Sequence, residues 1–199
     1  MKLKNLNNIL SFLHQAEKLK SVLRHSWLSS GRRESTAEHT WRMALMAMVL
    51  RDGLKKKPNL EKTLKMVLVH DLVEVYAGDI PAFKKDKSQK RKLELLAIVK
   101  ITKNLPPKPK QEITSLWNEY GERRTLEAKF AKALDRLEVL MQHAEADIRF
   151  LNKTEFKFNL LHGVAECEFD PFLKSFRKKL SQDFIKIYKS KNVSPKLYK

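Results

Sequence analysis

The sequence predicts an all-α fold, a single helical bundle over residues 1–190 with a basic tail at 191–199. Three observations predict it. Apolar residues recur at three- and four-residue spacing almost throughout. No segment shows the alternation of a half-buried strand or the signature of a hairpin turn. The 199 residues include only 5 Gly and 7 Pro, few for a chain rich in tight turns. The length fits one domain and is enough to bury a sizeable core.

The elements follow in order. Leu6, Ile9, Leu10, Leu13 and Ala16 share the face of a first helix that ends near Leu23. Ser29, Ser30 and Gly31 mark Arg24 to Glu34 as a loop. Ser35-Thr36-Ala37-Glu38 is a capping box, opening a helix to about Arg51 with Gly53 as its stop. His39, Met43, Met46, Ala47 and Leu50 lie on its inward face, and Met43, Met46 and Met48 are expected to fill core. Leu60 to Tyr76 forms the next helix, with Leu64, Val67, Leu68, Asp71 and Val75 on one stripe and Gly78 ending it. Asp79, Ile80 and Pro81 begin a loop, a helix covers about Ser88 to Lys103, and Pro106, Pro107 and Pro109 break the chain. Helical patterns then cover Lys110 to Tyr120 and Thr125 to Phe150, the latter with Phe130, Leu134, Leu137 and Met141 buried beside Asp135. Asp170-Pro171 caps a last helix through Ile187.

Composition excludes several classes. The longest clean apolar run, Ala44 to Leu50, is far short of the roughly 20 residues of a membrane span. Met1 to Leu10 has no apolar signal region. The single Cys167 forms no internal disulfide, excludes a multi-cysteine zinc site and fits a reducing compartment. These features predict a cytoplasmic protein. The net charge of +18 permits a polyanionic partner, nucleic acid included. Its location argues otherwise. Arg51 to Lys65, Lys84 to Lys92 and Lys174 to Lys199 hold 17 of the 18 excess charges, with no recognised nucleic-acid motif.

His39, the adjacent His70-Asp71, and Asp135 carry the chemical signal, since each lies on or beside an apolar helix face. Singly, each has an ordinary explanation: a satisfied core histidine, a chance dipeptide, an aspartate paired with Lys132 or Arg136. Together they ask for four polar groups in one core, which costs several kcal/mol unless they are paired or bind metal. Two imidazoles and two carboxylates suit a divalent transition metal ion (Mn, Fe, Co, Ni or Zn) better than Ca or Mg. Glu74, three residues after Asp71 and four after His70, projects from the same side of its helix. It can serve as a general base or as a carboxylate bonded to a ligating histidine.

The sequence Glu38-His39, then His70-Asp71 with Glu74 and Gly78-Asp79-Ile80-Pro81, then Ala128-Lys129-Phe130 leading to Leu134-Asp135, resembles the HD-domain metal-dependent phosphohydrolases, and among them the 5'-deoxynucleotidase-like branch. The resemblance spans about Leu19 to Arg149. It implies an HD-domain helical bundle in which His39, His70, Asp71 and Asp135 hold one divalent metal and Glu74 activates the attacking water. Asp79 would bind a sugar hydroxyl or orient the leaving group. Arg24 and Trp27 would contact phosphate and sugar, with Arg32 and Arg33 as alternative guanidinium groups. It also implies a homodimer and a nucleotide substrate, most simply a (deoxy)nucleoside 5'-monophosphate losing its phosphate. Other nucleotide phosphates and a basic nucleic-acid-binding protein with a structural metal are the competing expectations.

Overall fold

A computed structural model describes residues 3–79, 87–150 and 153–190. Ten α-helices and one strand pair make up these residues: α1 (Leu3–Ala16), β1 (Leu23–Trp27), β2 (Arg33–Ser35), α2 (Thr36–Leu50), α3 (Leu60–Val69), α4 (Glu74–Ala77), α5 (Lys87–Thr102), α6 (Pro107–Glu122), α7 (Leu126–Glu145), α8 (Lys153–Leu161), α9 (Val164–Cys167) and α10 (Pro171–Ser190). The expected all-α class holds. Among the described residues, no helix is long and apolar enough to cross a membrane. Ile80, Pro81 and the 191–199 tail lie outside the described residues.

Helix α7 is the axis of the bundle, packed by α2, α3, α6 and α10. Phe130, Leu134 and Leu137 of α7 close over Met43 of α2, Met66 of α3 and Leu173 of α10. Burial of this many apolar side chains, at about 25 cal/mol per Å², is the main force holding the helices together. The capping box forms as the sequence requires: Ser35 Oγ accepts from Glu38 N, and a Glu38 carboxylate oxygen accepts from Ser35 N at 2.9 Å. Asp170 caps α10 by accepting from Phe172 N at 2.9 Å.

Five expectations need correction. Arg24 to Glu34 is a hairpin, with Leu23 opposite Ser35 and Trp27 opposite Arg33. Its turn closes by Gly31 N to Leu28 O at 3.0 Å, with Gly31 at φ 86°. The strand escapes a hydropathy pattern because its buried positions are the polar Arg24 and Ser26. Second, the helix expected over Leu60 to Tyr76 breaks at His70. Its Nδ1 donates to Val67 O at 2.7 Å, and tight bonds such as Glu74 N to Asp71 O at 2.9 Å carry the chain into α4. Third, α1 ends at Ala16 and buries none of its residues. It leans on the bundle through Phe12 and Ala16, while Leu6, Leu10 and Leu13 face outward. Fourth, Met48 and Leu68 are exposed. Fifth, α8 and α9 form where the periodicity marks no helix.

Candidate metal centre

Helix α2, the α3–α4 turn and α7 converge under the β1–β2 hairpin. The first turns of α2 bring Thr36 and His39. The α3–α4 turn brings His70, Asp71 and Glu74, α7 brings Asp135 and Glu138, and β1 and β2 bring Arg24 and Glu34. The tightened turn after Val69 is what points His70 and Asp71 to one place. A cavity of about 450 Å³ opens here, lined by Arg24, His70, Asp71, Glu74, Asp79 and Asp135 among others.

One ligand atom from each of His39, His70 and Asp135 lies within 4.8 Å of the other two. His39 Nε2 stands 3.5 Å from Asp135 Oδ1, and His70 Nε2 stands 3.0 Å from Asp71 Oδ2. Among the described residues, both Nε2 atoms are buried without a hydrogen-bond partner. Both rings use Nδ1 on the protein: His70 on the Val67 carbonyl, His39 on Glu138 Oε2. A carbonyl or carboxylate only accepts, so Nδ1 carries the proton and Nε2 turns its lone pair inward. Asp135 divides its oxygens likewise. Oδ2 accepts from Lys132 Nζ at 2.7 Å and Tyr120 OH at 2.8 Å, leaving Oδ1 toward His39. Two buried imidazole lone pairs facing carboxylate oxygens fit a divalent transition metal in donor type and number.

The electrostatics point the same way. Burial and Arg24 disfavour charge on His39, yet Glu138 and Asp135 outweigh them and push the imidazole up to about 10. The centre draws positive charge to Nε2, a proton where no cation binds, which a cation must displace to reach the lone pair. Burial also opposes ionisation of Asp71, but His70 and Arg24 hold its carboxyl well below the usual range. Glu74 differs: burial, then repulsion from Asp71, push it up to about 8. Its Oε2 accepts from Thr36 Oγ1 at 2.7 Å. It lines the cavity, but only 8% of it is exposed.

Arg24 reaches Asp71 Oδ2 at 3.2 Å and Glu34 Oε2 at 3.4 Å. Arg32 pairs with Glu38 on the surface, and neither lines the cavity. Arg33 donates to the Arg24 carbonyl and lies over the Trp27 ring, so Arg24 is the guanidinium of the three that lines the cavity. Trp27 does not line it; its ring stacks on Phe150 at 4.2 Å. Asp79 lines it and accepts from His25 N at 3.2 Å. Lys90 and Arg91 also line it, so one of the basic segments reaches the site after all.

Sequence reasoning missed Thr36, Glu34 and Glu138. Glu138 had a signal: it falls three residues after Asp135 among the apolar positions of α7, the same anomaly that exposes Asp71. It is fully buried, and Arg42 Nε approaches its Oε1 at 3.6 Å. By holding His39 Nδ1 it fixes the ring tautomer and orientation. Glu138→Gln is therefore expected to weaken cation binding about 10- to 100-fold while the chain stays folded. Competition against a chromophoric chelator measures this, and unchanged affinity would remove Glu138 from the site.

His143, bland by spacing, is buried between Ser26 Oγ at 3.2 Å and Asn159 Oδ1 at 2.9 Å, with the His25 ring 5.4 Å away. Burial pushes it down to about 4 against the Asn159 hydrogen bond; His25 and Arg24 act with burial, Glu138 against it. Its folded value lies below the ordinary 6.5, so the unfolded chain binds more protons between pH 6.5 and 4. Stability is full above about pH 6.5 and falls as pH drops toward 4, by about 3 kcal/mol from this group. Thermal melts should show His143→Gln flattening that decline relative to wild type; parallel curves would count against it.

Comparison with known proteins follows this geometry. The HD domain family matches residues 16–176. The human 5'-deoxynucleotidase HDDC2 is 38% identical over 176 residues, covering 81% of this chain and 85% of that protein. The 5'-deoxynucleotidase hdd1 of Schizosaccharomyces pombe is 36% identical over 150 residues, covering 72% and 74%. A solved structure described as a predicted metal-dependent phosphohydrolase from Magnetospirillum magnetotacticum superposes with a TM-score of 0.77 at 31% identity, covering 92% of this chain and 94% of that one.

Proposed function

The chain belongs to the HD-domain family, and on that premise we propose that it is a metal-dependent phosphohydrolase removing the 5'-phosphate from deoxynucleoside 5'-monophosphates. The observation that carries this reading is the pair of buried, unpartnered Nε2 atoms of His39 and His70 facing Asp135 and Asp71 at the cavity wall. His39, His70, Asp71 and Asp135 are the proposed ligands of one transition-metal ion. A divalent cation there supplies Lewis acidity and lowers the pKa of water.

The chain's own residues do the rest. Arg24, held by Asp71 and Glu34, presents a guanidinium fork to the phosphate and stabilises charge on its non-bridging oxygens. Glu74, oriented by Thr36, takes the proton of the attacking water. The water oxygen bonds to phosphorus as the bond to the 5'-oxygen breaks, and the proton that Glu74 took passes to the leaving oxygen to give the nucleoside. Asp79 binds the sugar hydroxyl or orients the leaving group. Trp27 is given no contact with substrate. Lys90 and Arg91 support electrostatic steering of an anionic nucleotide toward the cavity.

The relatives' 5'-deoxynucleotidase activity supports the choice of substrate class. A panel tests it: deoxynucleoside and ribonucleoside monophosphates, deoxynucleoside triphosphates, a guanosine polyphosphate and a cyclic nucleotide, each with added Mn²⁺. Phosphate release from the deoxynucleoside monophosphates is the expected outcome. Turnover confined to another class would replace the substrate assignment. A homodimer belongs to the same reading. The outward stripe Trp41, Leu45, Met48 and Val49 on α2, 46–69% exposed, supports it. A single-chain mass in sedimentation equilibrium would refute it.

A further inference from the structure

The wall of the same cavity holds a polar group with no role so far. His162, just after α8, lines it with Phe158 and Val139. Its ring centroid lies 4.3 Å from that of Phe158, at 37°. Only 9% of His162 is exposed, and among the described residues its Nε2 has no hydrogen-bond partner. A buried ring nitrogen left unpaired is costly unless a ligand completes it.

The backbone under this ring is clamped. His162 N donates to Phe158 O at 2.8 Å. Arg177 Nε and Nη2 donate to the His162 carbonyl at 3.1 and 3.0 Å. Gly163 turns the chain at φ +75°, and a Cβ there would meet Arg136 Cβ at 2.9 Å. A backbone so held fixes the point from which the ring projects. Burial, then the Arg136 guanidinium, push the imidazole down to about 3, so near pH 7 it is neutral and offers one N–H and one lone pair. Such a group complements a neutral polar edge rather than a phosphate.

Arg91 covers the Trp117 ring at 4.4 Å, and Tyr120 OH is committed to Asp135. We propose that Phe158 and His162 form the nucleobase subsite, the base lying against Phe158 and its polar edge hydrogen-bonding to the His162 ring. The assignment rests on the phosphohydrolase reading and adds to it the part of the substrate the metal centre does not touch.

His162→Phe keeps a flat ring and removes both nitrogens, while His162→Gln returns a polar end near the place of Nε2. With deoxynucleoside monophosphates, His162→Phe is expected to raise KM about tenfold and leave kcat within about twofold. Hydrolysis of deoxyribose 5-phosphate, which has no base, should not change, and His162→Gln should recover part of the KM. Phe158→Ala should give the same split between substrates and serves if thermal melting finds His162→Phe unfolded. Unchanged KM in these variants, or equal loss on nucleotide and base-free substrate, overturns the subsite. Should wild type release no phosphate from any of them, the hydrolase reading fails. Calorimetry with unphosphorylated deoxynucleosides then decides the subsite alone: weaker binding to His162→Phe supports it, equal binding overturns it.

Discussion

Glu74→Gln is expected to reduce phosphate release from deoxynucleoside monophosphates by about 10²- to 10⁴-fold while cation affinity stays within about twofold of wild type. The expectation comes from position. Glu74 lines the cavity beside Arg24, His70 and Asp71, and its carboxylate is oriented by Thr36 Oγ1 at 2.7 Å. Glutamine keeps the size and the hydrogen bond from Thr36 but cannot take a proton. If Glu74 were instead a support for a ligating histidine, cation affinity would fall with activity. The ratio of the two losses separates the roles, and full activity in the variant would remove Glu74 from the mechanism. Thr36→Val offers a milder companion, since it leaves the carboxyl in place and removes only its guide.

Asp135→Asn is expected to abolish high-affinity cation binding and lower turnover at least about 10³-fold, the loss of several kcal/mol of stabilisation. One carboxylate oxygen faces His39 while the other is held by Lys132 and Tyr120, so the side chain is committed on both sides. Asparagine retains an oxygen for Lys132 and Tyr120 and loses the charge the cation needs. Asp135→Ala does more harm, because it leaves the buried Lys132 ammonium without its carboxylate. Removing one partner of a buried pair costs about 3–5 kcal/mol. Burial already lowers the Lys132 pKa, and loss of its proton is the route by which that cost is reduced. The alanine variant should therefore melt earlier than the asparagine variant. Equal melting points would contradict this account of the Lys132–Asp135 pair.

The sequence shows the α2 cap, the inward face of α2 and the start of α10 because each is a local pattern: a capping box, a 3.6-residue period, an Asp-Pro pair. It shows the four candidate ligands because a polar residue on an apolar stripe is itself a signal. What it hides is tertiary. Periodicity runs Leu60 to Tyr76 as one helix, since it does not register that the His70 side chain takes the Val67 carbonyl and tightens the turn. The hairpin is invisible because the buried residues of β1, Arg24 and Ser26, are polar and pair with Glu34, Asp71 and His143. Helix α1 carries two plausible faces, and the more apolar one is turned outward. Trp27 neighbours Arg24 in sequence, but a strand sends residues three apart to opposite sides, and its ring goes to Phe150. Glu138 was legible and went unread; Thr36 and Glu34 become meaningful only when the hairpin lies over α2 and the α3–α4 turn.

The central claim is that His39, His70, Asp71 and Asp135 hold one cation on which hydrolysis depends. Chelator-stripped wild-type protein, titrated with Mn²⁺ and assayed for phosphate release from deoxyadenosine 5'-monophosphate, tests it most directly. The account predicts no turnover before addition, a rise that saturates at about one equivalent per chain, and no rise for Asp135→Asn over the same range. Turnover by the stripped protein at the reconstituted rate, or an unchanged titration curve for Asp135→Asn, would contradict it.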